Sequence, residues 1–499
     1  MSGLLFKLSR TLHKYTGLLF FIYFLLMGIS GVLLNHPQLI RKISVPMQLT
    51  PASHAIVNGN RMAVRETIVD GNNIYLAGRT GVWRSNDNGL NFSKMEAGFP
   101  SASYDQDTFS LFLDKNHNRL FAGTRRGLYI YGFVTKQWQN IPFGAINNAP
   151  VIDLLQIENR LLLFTQRHCY SSRLDTKKLF FLMEPLSFAE NSRPQSTRLP
   201  HFLLKIHDGS ILGLNGRLFV DGIGLLLVFL CVSGLFIWFL PRRKQNQKKS
   251  LSKIFTIRWF YRNHLKVGIY GVAFIGLITL SGILIRPPFI KTIVKYNVPL
   301  WTLPLEQRGR WQPRIDKAVF KPEAETLWVA TRQGFFSGRP DFLRPLDKQT
   351  IPVPRSGMGT SVFESLPDQQ LLIGSFSGVY VWDAVHHRVS TPHADKSNAP
   401  FHNNRLRVTG AIIKNGSPTH VADYHRGLLP LGANSNLIIP PQMATTPMSL
   451  WHFLFEFHNG RIFQQWLGTY TWLLIPLGGM LLLTNLLTGL YDWLWRNQK

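Results

Sequence analysis

Apolar positions collect into four unbroken stretches along the chain, roughly Tyr15–Leu34, Leu218–Leu240, Val267–Ile285 and Trp466–Leu490. A helix that crosses a bilayer needs ~20 mostly apolar residues, and each stretch comes close to or exceeds that length. Between the first and second stretches, and again between the third and fourth, the pattern changes. Residues 37–200 and 287–450 carry short alternating or β-branched runs broken by Gly, Asn, Asp and Pro, which predicts β-structure with many turns. The expectation is a membrane α-helical protein with four transmembrane helices in a duplicated two-helix unit, plus a periplasmic all-β propeller-like domain built from two segments. In chain order it reads as an N-terminus and first span (1–36), a first β segment (37–200), an interfacial region with the second span (201–241), a basic loop (242–263), the third span (264–286), a second β segment (287–450), and an interfacial region, fourth span and tail (451–499).

A phrase repeats inside the β segments. It runs Tyr75-Leu-Ala-Gly-Arg-Thr-Gly81-Val-Trp, then Leu120-Phe-Ala-Gly-Thr-Arg-Arg-Gly127-Leu-Tyr, and returns around Gly334 and Gly378. Weaker copies are Leu161–Tyr170, without the central Gly, and His420–Leu429 around Gly427. The glycines lie 46 residues apart in the first segment and 44 then 49 in the second, close to the ~40–50 residues of a four-stranded propeller blade. The unit is a strand, a glycine turn and a second strand. Ser85-x-Asp87-x-Gly89 resembles the Asp-box turn of many propellers. Three phrases per segment suit one six-bladed ring; two separate half-caps are the alternative.

The spans repeat more tightly. His13-x-x-x-Gly17 leads to Ser30-Gly31, and His264-x-x-x-Gly268 leads to Ser281-Gly282 at identical spacing. His207-Asp208-Gly209 and His458-Asn459-Gly460 open the approaches to spans two and four, which close on Ser233-Gly234-Leu235-x-x-Trp238 and Thr488-Gly489-Leu490-x-x-Trp493. The copies run in the same direction, so equivalent residues sit at equal depth about a pseudo-twofold axis along the membrane normal.

The net charge of +28 raises the question of nucleic acid, but the distribution of Lys and Arg answers it. Residues 241–266 hold Arg242, Arg243, Lys244, Lys248, Lys249, Lys253, Arg258, Arg262 and Lys266 with no Asp or Glu, the mark of a cytoplasmic loop. Lys7, Arg10 and Lys14 before the first span, and Arg496 and Lys499 after the last, place both termini on that side, with the β segments periplasmic and the lipid bilayer as partner. No nucleic-acid role is expected. The first span is too long for a signal-peptide core and reads as a retained anchor. Cys169 and Cys231 fall in a β segment and a span, so no disulfide is expected. No zinc HExxH, nucleophile elbow, phosphate loop or dinucleotide fingerprint is present, which removes hydrolase chemistry.

Ionisable groups at a bilayer tend to mark function. His13 and His264 match at the cytoplasmic ends of spans one and three, and His207 and His458 match just outside spans two and four. Two imidazoles at one depth on facing helices are good axial ligands for a b-type haem, and the absence of C-x-x-C-H excludes a c-type one. Glycines such as Gly17, Gly28, Gly224, Gly276 and Gly478 either admit a flat macrocycle or let helices pack closely. The plainer alternative is that the four histidines are hydrogen-bonded or snorkelling groups. His36 has no symmetric counterpart, Pro287 standing in its place, and His452, His386, His387 and His425 read as surface groups.

Leu12-His13-Lys14-Tyr15-Thr16-Gly17-Leu18 leading to Ser30-Gly31-Val32-Leu33-Leu34-Asn35-His36, Asn263-His264 with Gly268, and the His-x-Gly and Ser/Thr-Gly-Leu-x-x-Trp patterns resemble the PepSY-associated transmembrane family over the four spans. The resemblance implies a bacterial inner-membrane protein similar to di-haem ferric-siderophore reductases, with two haem b groups. His13 and His264 would be the axial iron ligands on the cytoplasmic side, and His207 and His458 on the periplasmic side. It further implies an unidentified cytoplasmic-side electron donor and a periplasmic acceptor such as a ferric siderophore. The propeller-like phrases depart from the family's usual external modules. Two functions follow: a transmembrane electron carrier, conceivable as a ferric-chelate reductase, or a membrane-anchored ligand-binding or sensory propeller without redox activity. A transporter is disfavoured, since the spans lack mid-membrane Gly/Pro breaks.

Overall fold

A computed structural model describes residues 2–144, 148–176, 178–189, 195–239, 251–304, 312–354, 356–392, 406–431 and 437–497. The chain forms two units: Met1–Ile40 with Pro194–Arg310 and Trp451–Lys499, and Arg41–Arg193 with Trp311–Leu450. The two β segments therefore belong to one unit.

In the first unit, four of the described helices are long and apolar enough to cross a membrane. They are Ser2–Asn35, Gly213–Phe239, Leu251–Leu284 and Leu474–Asn497, spans 1 to 4 below. Span 3 begins at Leu251, well before the expected 264, because residues 251–267 contain neither Gly nor Pro to stop a helix. Of the expected basic loop, residues 242–250 lie outside the described residues. Span 1 packs on spans 2 and 4, and span 3 on the same two. Phe24, Ile223, Ile275 and Leu482, one from each span, meet at the centre. Leu19 and Tyr270, more than three-quarters exposed, face outward as lipid-contacting side chains do.

Short helices Leu199–His207 and Leu450–His458 precede spans 2 and 4. Each ends in a left-handed glycine, Gly209 at φ 74° and Gly460 at φ 75°, which turns the chain toward the span. A side chain at 209 would also meet the Gly216 carbonyl oxygen at 2.3 Å. The repeated His-x-Gly is thus a helix stop that fixes where its histidine ends up.

Among the described residues the second unit holds six antiparallel sheets of three or four strands, each with its strands in chain order, besides a two-stranded pairing of Ser44–Val45 with Met448–Ser449. Their first strands are Glu66–Asp70, Thr108–Asp114, Asp153–Ile157, Ile315–Lys321, Thr360–Ser365 and Val408–Lys414. Five sheets have four strands and the sixth has three. Every repeated phrase is the hairpin of second and third strands, as in Asn73–Gly78 with Gly81–Ser85 and Gln370–Ser375 with Gly378–Asp383. Gly127 and Gly378 turn these hairpins at φ 118° and 121°, a region open to glycine and strained for other residues. Ser85 and Asp87 form the expected turn: Gly89 N–H donates to Ser85 Oγ at 2.9 Å and Asn91 N–H to Asp87 Oδ1 at 2.9 Å. The Ser85 hydroxyl, donating to Asp87 Oδ1 at 2.6 Å, together with the bonds from Asn91, holds the Asp87 carboxyl down at about 2.

First strands of successive sheets pack side by side, and the sixth returns to the first. Apolar clusters fill the gaps in the same order. Leu111 and Tyr75 join sheets one and two, Phe121 and Leu163 sheets two and three, and Phe164 and Phe336 sheets three and four. Phe335 and Phe363 join sheets four and five, Leu372 and Val421 sheets five and six, and Ile412 and Val64 close six onto one. Buried polar bonds lie along the first strands. Lys317 Nζ donates to Glu66 Oε2 at 2.6 Å and to Phe109 O at 3.2 Å, and Ala318 N–H donates to Asp153 Oδ2 at 2.7 Å. Thr67 Oγ1 donates to Ala411 O at 3.0 Å across the closure.

Candidate functional site

The four duplicated histidines come together two by two within the helical unit. His13 and His264 have ring centroids 6.4 Å apart, and His207 and His458 have theirs 6.1 Å apart. Along span 1, His13 and Gly31 are eighteen residues apart, which at ~1.5 Å per residue separates the two levels by about 27 Å.

Each imidazole is seated by the Ser/Thr-Gly dipeptide of a span from the other copy. His13 Nδ1 lies 2.9 Å from Asn485 O and 3.4 Å from Thr488 Oγ1 of span 4. The reciprocal seat is on span 2, where His264 Nδ1 lies 2.8 Å from Ser233 Oγ. On the other level His207 Nδ1 lies 3.0 Å from Ile278 O and 3.3 Å from Ser281 Oγ of span 3, and His458 Nδ1 lies 2.9 Å from Ser30 Oγ of span 1. The following glycine lets the ring approach. A Cβ at Gly282 would stand 2.8 Å from His207 Cε1, and one at Gly489 would stand 3.0 Å from His13 Cε1.

The hydrogen bonds fix the tautomer. A carbonyl oxygen only accepts, so Nδ1 of His13 and His207 carries the proton. The hydroxyls give the same answer by another route, because each donates its own proton to a carbonyl one turn back in its helix. Ser233 donates to Phe229 O at 2.6 Å, Ser281 to Ile278 O at 2.8 Å, Thr488 to Thr484 O at 2.8 Å and Ser30 to Met27 O at 3.2 Å. Their oxygens then accept from Nδ1–H, which leaves Nε2 of His13, His207 and His264 with a lone pair. This is the tautomer a metal-binding histidine needs, with the outer hydrogen bond fixing ring orientation.

Among the described residues no group of three or more His, Cys, Asp or Glu converges as a metal site. A pair of imidazoles suits a metal whose other positions are already filled by a macrocycle. The glycines singled out in sequence divide between two roles. Gly31, Gly234, Gly282 and Gly489 face a histidine, whereas Gly28 lies against the Gly224 carbonyl and Gly478 lies beneath Tyr23.

His36 joins neither pair. Its Nε2 lies 2.7 Å from Asp221 Oδ2, while Asn35 Nδ2 donates to Asp221 Oδ1 at 2.8 Å. Asp221 is buried, and its place in an apolar span was the available sign that it had a partner. In the β unit His386 bonds Asp383 and His425 meets Arg407, and in the helical unit His452 stacks edge-on with Trp451. Cys169 and Cys231 are free thiols. In the sequence the Ser/Thr-Gly dipeptides stand out as marks of the duplication; in the structure their hydroxyls are histidine seats.

The family described as "PepSY-associated TM region" matches residues 170–496, more than half of the chain. No curated protein matches significantly. Among solved structures, the chain resembles the extracellular domain of a one-component system from B. thetaiotaomicron, at 10% identity and TM-score 0.37, over 76% of this chain and 39% of that one. It also resembles the WD40 β-propeller domain of Doa1, at 10% identity and TM-score 0.35, over 78% of this chain and 95% of that one. Both scores are too low to carry an argument, and the architecture rests on strand order and core contacts.

Proposed function

The chain belongs to the PepSY-associated TM family, and from that premise we propose that it is a haem-binding electron carrier of a bacterial inner membrane. Two b-type haems would be held by His13 with His264 and by His207 with His458. The observation that carries this reading is the double pairing at 6.4 and 6.1 Å with every Nδ1 already engaged. At these separations each pair of imidazoles would hold a metal-bearing macrocycle between them, and the macrocycle would supply the redox-active ion.

Haem bound there supplies one-electron chemistry tuned by its axial ligands and their surroundings. The residues of the chain present Nε2, hold each ring through Nδ1, and keep an apolar layer around Phe24 and Leu482 between the two levels. The charge pattern supports cytoplasmic termini and a periplasmic β unit. In that frame the acceptor is periplasmic, a ferric chelate such as a ferric siderophore being the leading candidate, and the electron donor lies on the cytoplasmic side. The cyclic order of the six sheets supports reading the β unit as one six-bladed propeller that serves as the acceptor's platform.

Purified protein from haem-replete cells should show a b-type α-band in a reduced-minus-oxidised spectrum, halved by His13→Ala and abolished by His13→Ala with His207→Ala. Colourless protein after such expression overturns the redox reading and leaves a membrane-anchored ligand-binding propeller.

A further inference from the structure

In an antiparallel sheet the start of the first strand and the turn between the second and third lie at the same end. Arginines gather at that end of the ring. Arg65 and Arg314 immediately precede first strands, and Arg79, Arg125, Arg167 and Arg332 occupy hairpin turns. Backbone bonds tie the two positions together: Arg125 N–H donates to Asp107 O at 2.8 Å, and Arg332 N–H to Arg314 O at 2.9 Å. Arg41 pairs with Asp105 at 2.5 Å, two residues from Asp107.

Those six guanidiniums share that end with the carboxylates of Asp105, Asp107, Asp316 and Asp423, and Arg426 adds a further cation beside Asp423. Arg65 lies 3.1 Å from Asp107, which also pairs with Arg125, and the two guanidiniums flank the Phe109 ring at 4.8 and 5.3 Å. Arg332 bonds Asp316 at 2.8 Å. Arg167 and Arg314 are exposed and in no ion pair among the described residues. Arg314 keeps much of its surface in solvent, yet desolvation of the remainder and the like charges of Arg332, Arg125 and Arg167, against Asp316, hold it below the usual arginine range. Arg125, Arg167 and Arg332, from three consecutive sheets, thus lie close enough to Arg314 to repel it. The layer beneath is closed on itself, Lys317 being taken up by Glu66 and Asp153.

We propose that this end of the ring is a binding site for a small, multiply charged oxyanion, recognised through its carboxylate or phosphate groups. Accumulated like charge opposes a compact fold and is relieved by a counter-anion. A guanidinium presents a planar fork that matches two oxygens at once, so arginine rather than lysine is the expected cation. Arg65, Arg125 and Arg332 are positioned by Asp107 and Asp316, while Arg167 and Arg314 are available to the ligand. The proposal stands independently of the haem reading.

The test titrates citrate and pyrophosphate into the full-length protein in nonionic detergent at low salt by calorimetry. A second arm compares melting in nanodiscs of zwitterionic and of anionic lipid. Binding of either anion, weakened by added salt and at least tenfold by Arg167→Gln with Arg314→Gln, is the expected result; Arg167→Lys with Arg314→Lys should retain part of it. If only anionic nanodiscs stabilise the protein and the glutamine pair abolishes that effect, the oxyanion is a lipid headgroup. Absence of binding in both arms, or binding unchanged in a glutamine pair that melts like the parent, overturns the proposal.

Discussion

The helical unit repeats twice and the β unit six times, yet the twofold repeat is the stricter. Each histidine seat demands particular atoms: an imidazole, a hydroxyl or carbonyl oxygen to take its Nδ1 proton, and a glycine without a Cβ. Ser30-Gly31, Ser233-Gly234, Ser281-Gly282 and Thr488-Gly489 supply them with little variation. The sheets ask only for a tight turn and an apolar volume. Gly81, Gly127, Gly334, Gly378 and Gly427 meet the turn with positive φ, but the third hairpin turns through Thr165 and His168 instead, His168 N–H donating to Thr165 Oγ1 at 3.0 Å. Where a repeated position must supply a given atom, its identity is kept; where it supplies shape, several solutions serve.

Disruption of the ring should give the largest stability effect and leave the histidine seats alone. Lys317→Met would strand Glu66 and Asp153, both largely buried, without their cation. Breaking a buried pair from one side costs about 3–5 kcal/mol. A thermal melt should show that loss in the β unit, with the absorbance of any haem at the histidine pairs unchanged; a melt within 1 kcal/mol (roughly) of the parent would show that the lysine is not what ties the sheets together.

The seats themselves are unequal, which allows a finer comparison. His458 relies on the Ser30 hydroxyl at 2.9 Å, whereas His207 keeps Ile278 O at 3.0 Å when Ser281 is removed. With haem held at the histidine pairs as proposed, Ser30→Ala should therefore weaken its retention roughly tenfold or more, since loss of the partner that orients a metal-binding histidine costs about that, while Ser281→Ala has a smaller effect. Equal losses of haem on gel filtration in the two variants would contradict the asymmetry.

A further effect, within the ring alone, is one of pH. Burial, reinforced by Glu66 and opposed by Lys317, lifts the Glu364 carboxyl from 4.5 to about 8. The folded ring then holds a proton that the unfolded chain has released, so stability is fully present below 4.5 and declines as pH rises toward 8. Glu364→Gln should flatten that decline in melts across the window, and a slope unchanged by the substitution would assign it elsewhere.

Much of this was legible along the chain. The spans follow from length and hydropathy, and the level of each histidine follows from identical spacing in two copies. The phrases mark hairpins because a left-handed glycine between two apolar runs has few other uses. The partners were not legible. His13 is seated 472 residues away at Asn485, and His458 is seated 428 away at Ser30. Lys317 reads in sequence as an ordinary polar position on an alternating strand, yet it is buried against two carboxylates from other sheets. Asp221 and His36 likewise met only through helix packing.

What the sequence determined alone was everything set by local periodicity: four membrane-length helices, six turn-linked hairpins and four imidazoles at two depths. Tertiary structure alone decided which hydroxyl takes which imidazole proton, which charges meet at the end of the ring, and that two distant β segments close into a single cycle. The reason is physical: periodicity and turn chemistry act over a few residues, whereas hydrogen-bond partners and charge clusters are chosen by which surfaces the whole chain brings within about 3 Å of one another.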